Sequence, residues 1–82
     1  MEIPQPHSVQ LLVRKTCGSC ARVRQEIEDP VRATGATFQV LDVDCDPALA
    51  LEFGDRVPVV LVDEEEFACW EVDLEELVQA LL

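Results

Sequence analysis

Apolar residues form two different patterns in the first half of the chain, a short run and a helical repeat. Residues 9–13, VQLLV, form a short apolar run bounded by charge, as in a strand buried on both faces. Apolar residues then recur at three- and four-residue steps, which predicts an amphipathic helix. Its buried face would be formed by Cys20, Val23, Ile27 and Val31. Asp29 and Pro30 combine a capping residue with a proline, so we expect a kink or a new helical turn at Pro30 that ends at Gly35.

A second strand and a short second helix are predicted in the middle of the chain. Residues 37–44, TFQVLDVD, are rich in the β-branched and aromatic residues that strands favour. Asp46 and Pro47 then repeat the signal of a cap followed by proline, ALALEF supplies two helical turns, and Gly54 is a helix terminator. The second helix is therefore predicted over residues 46–54.

The last third of the chain predicts a hairpin and a final helix. Residues 57–62 and 67–72 are two predicted strands, joined across the acidic segment 63–66. Asp73 and Glu76 form a capping box that starts the last helix. The apolar face of this helix would be formed by Leu74, Leu77, Val78 and Leu81.

This order of elements, β-α-β-α-β-β-α, indicates the fold class. A strand, a helix and a second strand of these lengths make a right-handed parallel crossover, and the closing hairpin must be antiparallel. The prediction is an α/β protein with a four-stranded mixed sheet between helices, a three-layer sandwich. We expect a single domain over residues 9–82. A flexible arm over residues 1–8 would precede it, because Ile3-Pro4-Gln5-Pro6 is too rich in proline to pair in a sheet.

Composition and charge restrict the classes of partner. With 82 residues, nearly half of them apolar, the chain has room for one modest core. No apolar run is long enough to span a bilayer and MEIPQPHS is unlike a secretory signal, so we expect a cytoplasmic protein. The formal net charge is −11, with five basic and four acidic residues in 1–32 and one basic and thirteen acidic residues in 33–82. We expect such a chain to bind neither nucleic acid nor an anionic membrane surface.

The basic residues gather around a Cys-Gly-Ser-Cys motif that follows the first strand. A cysteine at the start of a helix lies near unpaired N–H groups and the positive end of the helix dipole, which favour the thiolate over the thiol. Arg14 and Lys15 add positive charge nearby. We predict that Cys17 is the nucleophile of a thiol–disulfide exchange and that Cys20, one turn later on the apolar face, resolves the mixed disulfide. By itself, the motif also fits half of a zinc site.

Several stretches of the chain together carry a family resemblance. They are the Cys17-Gly18-Ser19-Cys20 motif, the Val57-Pro58 dipeptide, DVDCDP at 42–47, and RVPVVLVD…W…VD at 56–73. With them the chain, from Val9 to Leu82, resembles the glutaredoxin-like branch of the thioredoxin-fold superfamily, and especially its small bacterial members. The resemblance implies a thioredoxin-like fold, a cis Pro58 that faces the redox pair, and a backbone contact from Val57 to an incoming substrate. The substrate-binding candidates are Arg14, Lys15, Thr16, Val57 and Pro58.

The chain departs from glutaredoxins at the loop that grips glutathione. Glutaredoxins carry a Gly-Gly-x-Asp type of loop after the third strand, where this chain has the acidic segment 63–66. Negative charge there would oppose a dicarboxylate tripeptide, although Arg14 stands roughly where glutaredoxins have a glutathione-binding basic residue. The sequence therefore predicts the reaction class and leaves the electron donor open.

Two further cysteines and one tryptophan lie outside these motifs. Cys45, expected at the end of the second strand, has two interpretations: a third redox thiol or ligand, or a small apolar residue, which its acidic neighbours favour. Cys69 is expected to share a face of the hairpin with Phe67 and Glu71. Trp70 is expected to point the opposite way, into the core.

The predicted function is a glutaredoxin-like dithiol–disulfide oxidoreductase. It would reduce protein or low-molecular-weight disulfides through Cys17 and Cys20, without metal or cofactor, and serve cell redox homeostasis. Its partners would be the disulfide substrate and a cellular reductant. Two alternatives stay open. One is a metal or iron–sulfur cluster carrier that uses the same cysteines, although their spacing does not resemble a zinc ribbon. The other is a catalytically silent adaptor with a thioredoxin fold.

Overall fold

The computed structural model describes residues 6–15 and 17–82, and its elements follow the predicted order β-α-β-α-β-β-α. The strands are β1 (Ser8–Val13), β2 (Thr37–Asp42), β3 (Val59–Val62) and β4 (Glu65–Cys69). The helices are α1 (Gly18–Ala33), α2 (Pro47–Phe53) and α3 (Leu74–Leu81). Two short 3-10 turns, Val43–Cys45 and Gly54–Arg56, flank α2. Residues 1–5 of the predicted arm lie outside the described residues, and so does Thr16.

The four strands form one mixed sheet in the order β2-β1-β3-β4. β1 pairs with β2 in parallel, with Val13 opposite Asp42, and with β3 antiparallel, with Leu12 opposite Val59. β4 runs antiparallel to β3, so that Cys69 lies opposite Val59. The end of the sheet that carries Val13, Asp42, Val59 and Cys69 is called the cysteine end here, because β1 leads from it to Cys17. The predicted sheet is confirmed.

Both faces of the sheet are buried, which makes the three layers. Successive strand residues point to opposite faces, so Leu11 and Leu12 enter different clusters, and neither is exposed. On one face, α1 and α3 contribute Val23, Ile27, Val31, Leu77 and Leu81. On the other face, Val43 and Phe53 pack with Val59 and Leu61. Over the part of the chain that the structure describes, none of the helices has both the length and the apolar character to cross a membrane.

Helix α1 continues through Pro30, so the alternative of a new helix starting there is wrong, while the alternative of a kink stays a prediction. A proline inside a helix costs about 3 kcal/mol relative to alanine. The burial of Ile27 and Val31, on either side of Pro30, outweighs this cost, since neither side chain is exposed. The helix ends at Ala33, and Gly35 follows with a φ of +89°, the left-handed conformation that favours glycine after a helix.

The ends of β2 and β4 also differ from the prediction. β2 stops at Asp42 because the Asp42 carboxylate accepts the N–H of Asp44 and starts a 3-10 turn. Cys45 therefore lies on that turn and is exposed. The hairpin turn is the pair Asp63 and Glu64, both with positive φ, so the remaining acidic residues of the segment belong to β4.

Candidate active site

Cys17 lies at the junction between β1 and α1. It is the capping residue of α1, with an extended backbone (φ −95°, ψ 105°), and its N–H donates to the carbonyl of Arg14 at 3.1 Å. The sulfur atoms of Cys17 and Cys20 lie at disulfide distance, and their Cα atoms are 5.4 Å apart, inside the usual range for a disulfide. One helical turn therefore holds the two sulfurs in bonding geometry.

The two cysteines differ in exposure. Cys20 is 3% exposed and faces the core with Val23, whereas Cys17 is half-buried and Gly18 and Ser19 beside it are exposed. An incoming molecule can therefore reach Cys17 much more readily than Cys20. The lower exposure predicted for Cys20 is confirmed, and the roles of attacking and resolving sulfur stay predictions.

Ion pairs engage much of the basic cluster that the sequence places around the motif. Arg14 donates from Nε to Asp44 at 3.2 Å, and Arg24 and Arg32 both bind Glu28. Hydrogen bonds from Arg24 and then Arg32 hold the pKa of Glu28 below its usual range. Lys15 is exposed and makes no salt bridge within residues 6–15 and 17–82. Its charge is thus the least compensated of those next to Cys17.

A shallow pocket of about 220 Å³ opens beside the cysteine pair. Val13, Ala21 and Val40 form its apolar wall. Three basic residues line it as well: Arg14, Lys15 and Arg24. Both cysteines contribute to the lining. A small molecule bound there would meet the disulfide, an apolar surface and positive charge together.

Val57 and Pro58 lie at the cysteine end of the sheet. The Val57–Pro58 peptide bond is cis, as the resemblance implied. Pro58 directly precedes Val59, which pairs with Leu12 near the end of β1. None of the backbone hydrogen bonds between described residues of the loops and turns uses the N–H or C=O of Val57. The structure thus brings Val57 and Pro58 to the same end of the sheet as Arg14, Lys15 and Cys17.

The remaining two cysteines do not complete a metal site with the pair. Cys45 is exposed on its 3-10 turn, and Cys69 is half-buried at the end of β4 among residues of the second core cluster. Across the described ranges, no three or more His, Cys, Asp or Glu side chains are grouped so that they could hold a metal ion.

The acidic segment lies at the opposite end of the sheet from Cys17. Asp63 accepts the N–H of Ser8, the first residue of β1, at 3.0 Å, and it also binds His7 at 2.6 Å. These hydrogen bonds, that of Ser8 first, lower the pKa of the Asp63 carboxyl. The length of β1, about 16 Å, separates this turn from the cysteine end. The expectation that the segment opposes glutathione at the redox pair is therefore wrong.

Trp70 lies at the cysteine end of the sheet, where the sequence did not predict it. It follows the last residue of β4, is 59% exposed, and donates its N–H to the carbonyl of Pro58 at 2.8 Å. The N–H of Glu71 bonds to the carbonyl of Cys69 at 2.8 Å, and the φ of Trp70 is +67°, which together describe a γ-turn of the rare positive-φ type. Such a conformation costs about 1–3 kcal/mol for a residue other than glycine. The prediction of a core tryptophan is wrong because β4 ends before it.

Sequence comparisons place relatives over most of the chain. The model of the glutaredoxin-like domain family (DUF836) matches residues 8–82. An uncharacterised protein of Mycobacterium tuberculosis is 41% identical over 70 residues, which cover 79% of this chain and 72% of that protein. An uncharacterised protein of Mycobacterium bovis matches with the same identity and coverage.

Solved structures with the same fold include a thioredoxin. Protein Ne2328 of Nitrosomonas europaea superposes with a TM-score of 0.80 at 18% identity, over 100% of this chain and 99% of that one, which shows the fold alone. Protein XcR50 of X. campestris has a TM-score of 0.69 at 27% identity, over 89% and 93% of the two chains. A thioredoxin variant of Halobacterium salinarum has a TM-score of 0.65 at 26% identity, over 92% and 71%. These neighbours confirm the thioredoxin-like fold.

Proposed function

Because the chain belongs to the glutaredoxin-like domain family (DUF836), we propose that it is a thiol–disulfide oxidoreductase that works through Cys17 and Cys20. One observation carries the proposal. The two sulfurs lie at disulfide distance across the first turn of α1, with Cys17 accessible at the cap and Cys20 buried behind it. A dithiol in this arrangement can accept and release a disulfide without rearrangement of the helix.

The reaction begins from the reduced pair. The thiolate of Cys17 attacks one sulfur of the substrate disulfide, so that a mixed disulfide forms and the other substrate sulfur leaves as a thiolate, which takes a proton. Cys20, after losing its proton, attacks the sulfur of Cys17 and releases the second substrate thiol. Two electrons have then passed from the pair to the substrate. Two molecules of a cellular thiol, or one dithiol, return these electrons by becoming a disulfide and so regenerate both thiols.

The surrounding residues have separate parts in this reaction. The free N–H groups at the start of α1 stabilise the Cys17 thiolate, and the charge of Lys15 assists them. The N–H and C=O groups of Val57, which form no backbone hydrogen bond with the other described residues of the loops and turns, can bind an extended substrate as an added strand. The family resemblance implies that Pro58 faces the sulfurs. Arg14 lines the pocket next to the pair. Thr16 keeps its proposed contact on the family resemblance, since it lies outside the described residues.

The substrates we propose are protein or low-molecular-weight disulfides, and the setting is redox homeostasis in the cytoplasm. The position of the acidic turn, far from the pair, removes one objection to glutathione as the electron donor. The basic lining of the pocket beside Cys17 suits a thiol that carries carboxylates. The strongly negative remainder of the chain disfavours nucleic acid and anionic membranes as partners.

Two cysteine variants test the function. Cys20→Ser leaves the attacking sulfur without a resolving one, so it should accumulate a mixed disulfide with a protein substrate, detectable as a mass increase that dithiothreitol reverses. Cys17→Ser should lose disulfide reduction altogether. Cys45→Ser, which changes an exposed cysteine outside the pair, is the matched control and should behave like the wild type. Full activity of Cys17→Ser would contradict the proposal.

A further inference from the structure

An exposed aromatic residue, Trp70, follows β4 at the cysteine end of the sheet, on a backbone that hydrogen bonds hold in place. Trp70 is the sole tryptophan of the chain, and more than half of it is exposed. Its main chain is held by the hydrogen bond to the carbonyl of Pro58 and by the γ-turn between Cys69 and Glu71. A ring presented in this way loses little conformational freedom when it meets a partner, because only two side-chain torsions remain to be fixed.

Trp70 combines a positive φ with an exposed side chain. A positive φ is a genuine outlier for a bulky residue and persists where neighbouring structure enforces it, often at binding sites. More than half of Trp70 is nevertheless exposed, whereas Phe38 and Phe53 are buried. The strained turn therefore holds an apolar side chain outside the core, at the cysteine end.

The strand register places Trp70 next to the path of an extended substrate. Cys69 lies opposite Val59, and Trp70 is bonded through its N–H to Pro58, the residue between Val59 and Val57. A peptide that pairs with the N–H and C=O groups of Val57 would extend along this end of the sheet at about 3.3 Å per residue. The side chain next to its cysteine would then reach the Trp70 ring, which a small thiol on Cys17 would not.

We propose that Trp70 is a specificity-determining contact that selects polypeptide disulfides, by packing its ring against an apolar side chain that flanks the substrate cysteine. The proposal rests on the function proposed for Cys17 and Cys20. Exposed tryptophans at such contacts often dominate the energy of recognition. The selected substrate is therefore a protein or peptide with an apolar residue beside the reacting cysteine.

Because Trp70 is the sole tryptophan, its fluorescence tests the contact directly. In a protein that carries Cys20→Ser, Cys45→Ser and Cys69→Ala, Cys17 is joined chemically to one of three thiols. These are a short peptide with leucines beside its cysteine, the same peptide with glycines there, and 2-mercaptoethanol. With the leucine peptide the emission should move to shorter wavelength and acrylamide quenching should fall. With the glycine peptide or 2-mercaptoethanol, the emission wavelength and the acrylamide quenching should stay as in the protein without an adduct.

Kinetics of the otherwise wild-type chain give a second readout. Trp70→Asn removes the ring and keeps a residue that tolerates positive φ. It should lower the ratio of kcat/KM for the leucine peptide disulfide to kcat/KM for 2-hydroxyethyl disulfide about ten-fold, the size of a moderate hot spot. Trp70→Phe should restore most of this ratio. Leu82→Asn, which alters another exposed apolar residue, should leave the ratio unchanged.

The outcomes separate this proposal from the proposed function. Identical fluorescence of all three adducts, or an unchanged ratio in Trp70→Asn, would overturn the role of Trp70 while leaving the dithiol chemistry intact. A Leu82→Asn effect equal to that of Trp70→Asn would overturn it as well. Failure of Cys17 to form any adduct, or of the wild type to reduce either disulfide, would overturn the proposed function and the selection that rests on it.

Discussion

The guanidinium group of Arg14 lies over the α-carbon of Gly54, and a Cβ built on Gly54 would stand 2.9 Å from Nη2 of Arg14. Gly54 has a right-handed helical backbone (φ −54°, ψ −32°), so its conformation does not require glycine. A Cβ at this position fits only if the guanidinium group of Arg14, the end of a flexible side chain, moves aside. This contact links the residues before Cys17 to the turn that leads to Val57, and the ion pair of Arg14 with Asp44 links them to the 3-10 turn after β2.

A double-mutant cycle should reveal this contact. In the wild type, Gly54→Ala should change the free energy of unfolding by less than about 1 kcal/mol, because a gain in helix propensity is offset by the displaced guanidinium and its weakened ion pair. In an Arg14→Ala background nothing obstructs the new Cβ, so the same change should stabilise the protein by up to about 1 kcal/mol. Urea unfolding of the four proteins measures the coupling, expected at about 0.5 kcal/mol or more.

Gly35→Ala is the matched control for this cycle. Its φ of +89° makes alanine unfavourable and nothing lies within 4 Å of a Cβ built there. The loss, about 1 kcal/mol, should be equal in both backgrounds because Arg14 is not involved. An equal effect of Gly54→Ala in both backgrounds would show that the Arg14 contact does not determine the choice of glycine.

The cap of α2 gives a prediction of stability. The Asp46 carboxylate accepts the N–H of Ala48 at 3.0 Å and that of Leu49 at 3.4 Å. Asp46→Ala should lower the free energy of unfolding by about 1 kcal/mol, and Asp46→Asn, which keeps an acceptor, by clearly less. Urea unfolding compares them with Asp55→Ala, which removes an exposed acidic residue from the turn after α2. Equal losses for the alanine and asparagine variants would mean that charge, not the cap, matters.

The sequence predicted the elements whose local signals agree with their packing. The apolar run of β1, the caps at Asp46 and Asp73, and the Cys-Gly-Ser-Cys turn all appear where expected. Pro30 shows why local signals fail. Its propensity favours a break, but the buried residues one turn apart on α1 impose continuity, and that information is not local.

The site was predicted less completely than the fold, for a reason visible in the last hairpin. The hairpin turn has only two residues, Asp63 and Glu64, so β4 begins at Glu65, two residues earlier than predicted. The core position of Trp70 was predicted from the alternation of side chains along a strand. β4 ends at Cys69, so this alternation does not apply to Trp70. The acidic segment was placed by analogy with a loop, and its hydrogen bond to Ser8 shows it at the other end of the sheet.

The carboxylate of Asp63 predicts a pH dependence of stability. Its pKa is lowered in the folded chain, by the N–H of Ser8 first and then by His7, so it stabilises the fold above the pKa of the unfolded chain. This contribution is lost as the pH falls from about 5 through the folded pKa. Asp63→Asn should therefore be less stable than the wild type near neutral pH, and the difference should vanish in acid. Urea unfolding at a series of pH values measures it.

Glu64→Gln is the matched control for this pH series. It removes a negative charge at the neighbouring turn position, which has the same left-handed backbone and no hydrogen bond to Ser8. Its stability relative to the wild type should show a weaker dependence on pH than that of Asp63→Asn. The same pH profile for both variants would assign the effect to the net charge of the turn and contradict the role of the Ser8 hydrogen bond.

The reactivity of Cys17 tests the electrostatics on which the proposed exchange depends. In reduced protein with Cys20→Ser, Cys45→Ser and Cys69→Ala, alkylation of Cys17 by iodoacetamide should reach half its maximal rate below about pH 8.5, the value of an ordinary thiol, because the start of α1 stabilises the thiolate. The same chain unfolded in urea is the reference and should return to that value. Lys15→Gln should raise the midpoint more than Arg14→Gln, because Arg14 is already paired with Asp44 and Lys15 lines the same pocket without a salt bridge among the described residues. A folded midpoint equal to the unfolded one would mean that the helix start does not activate Cys17.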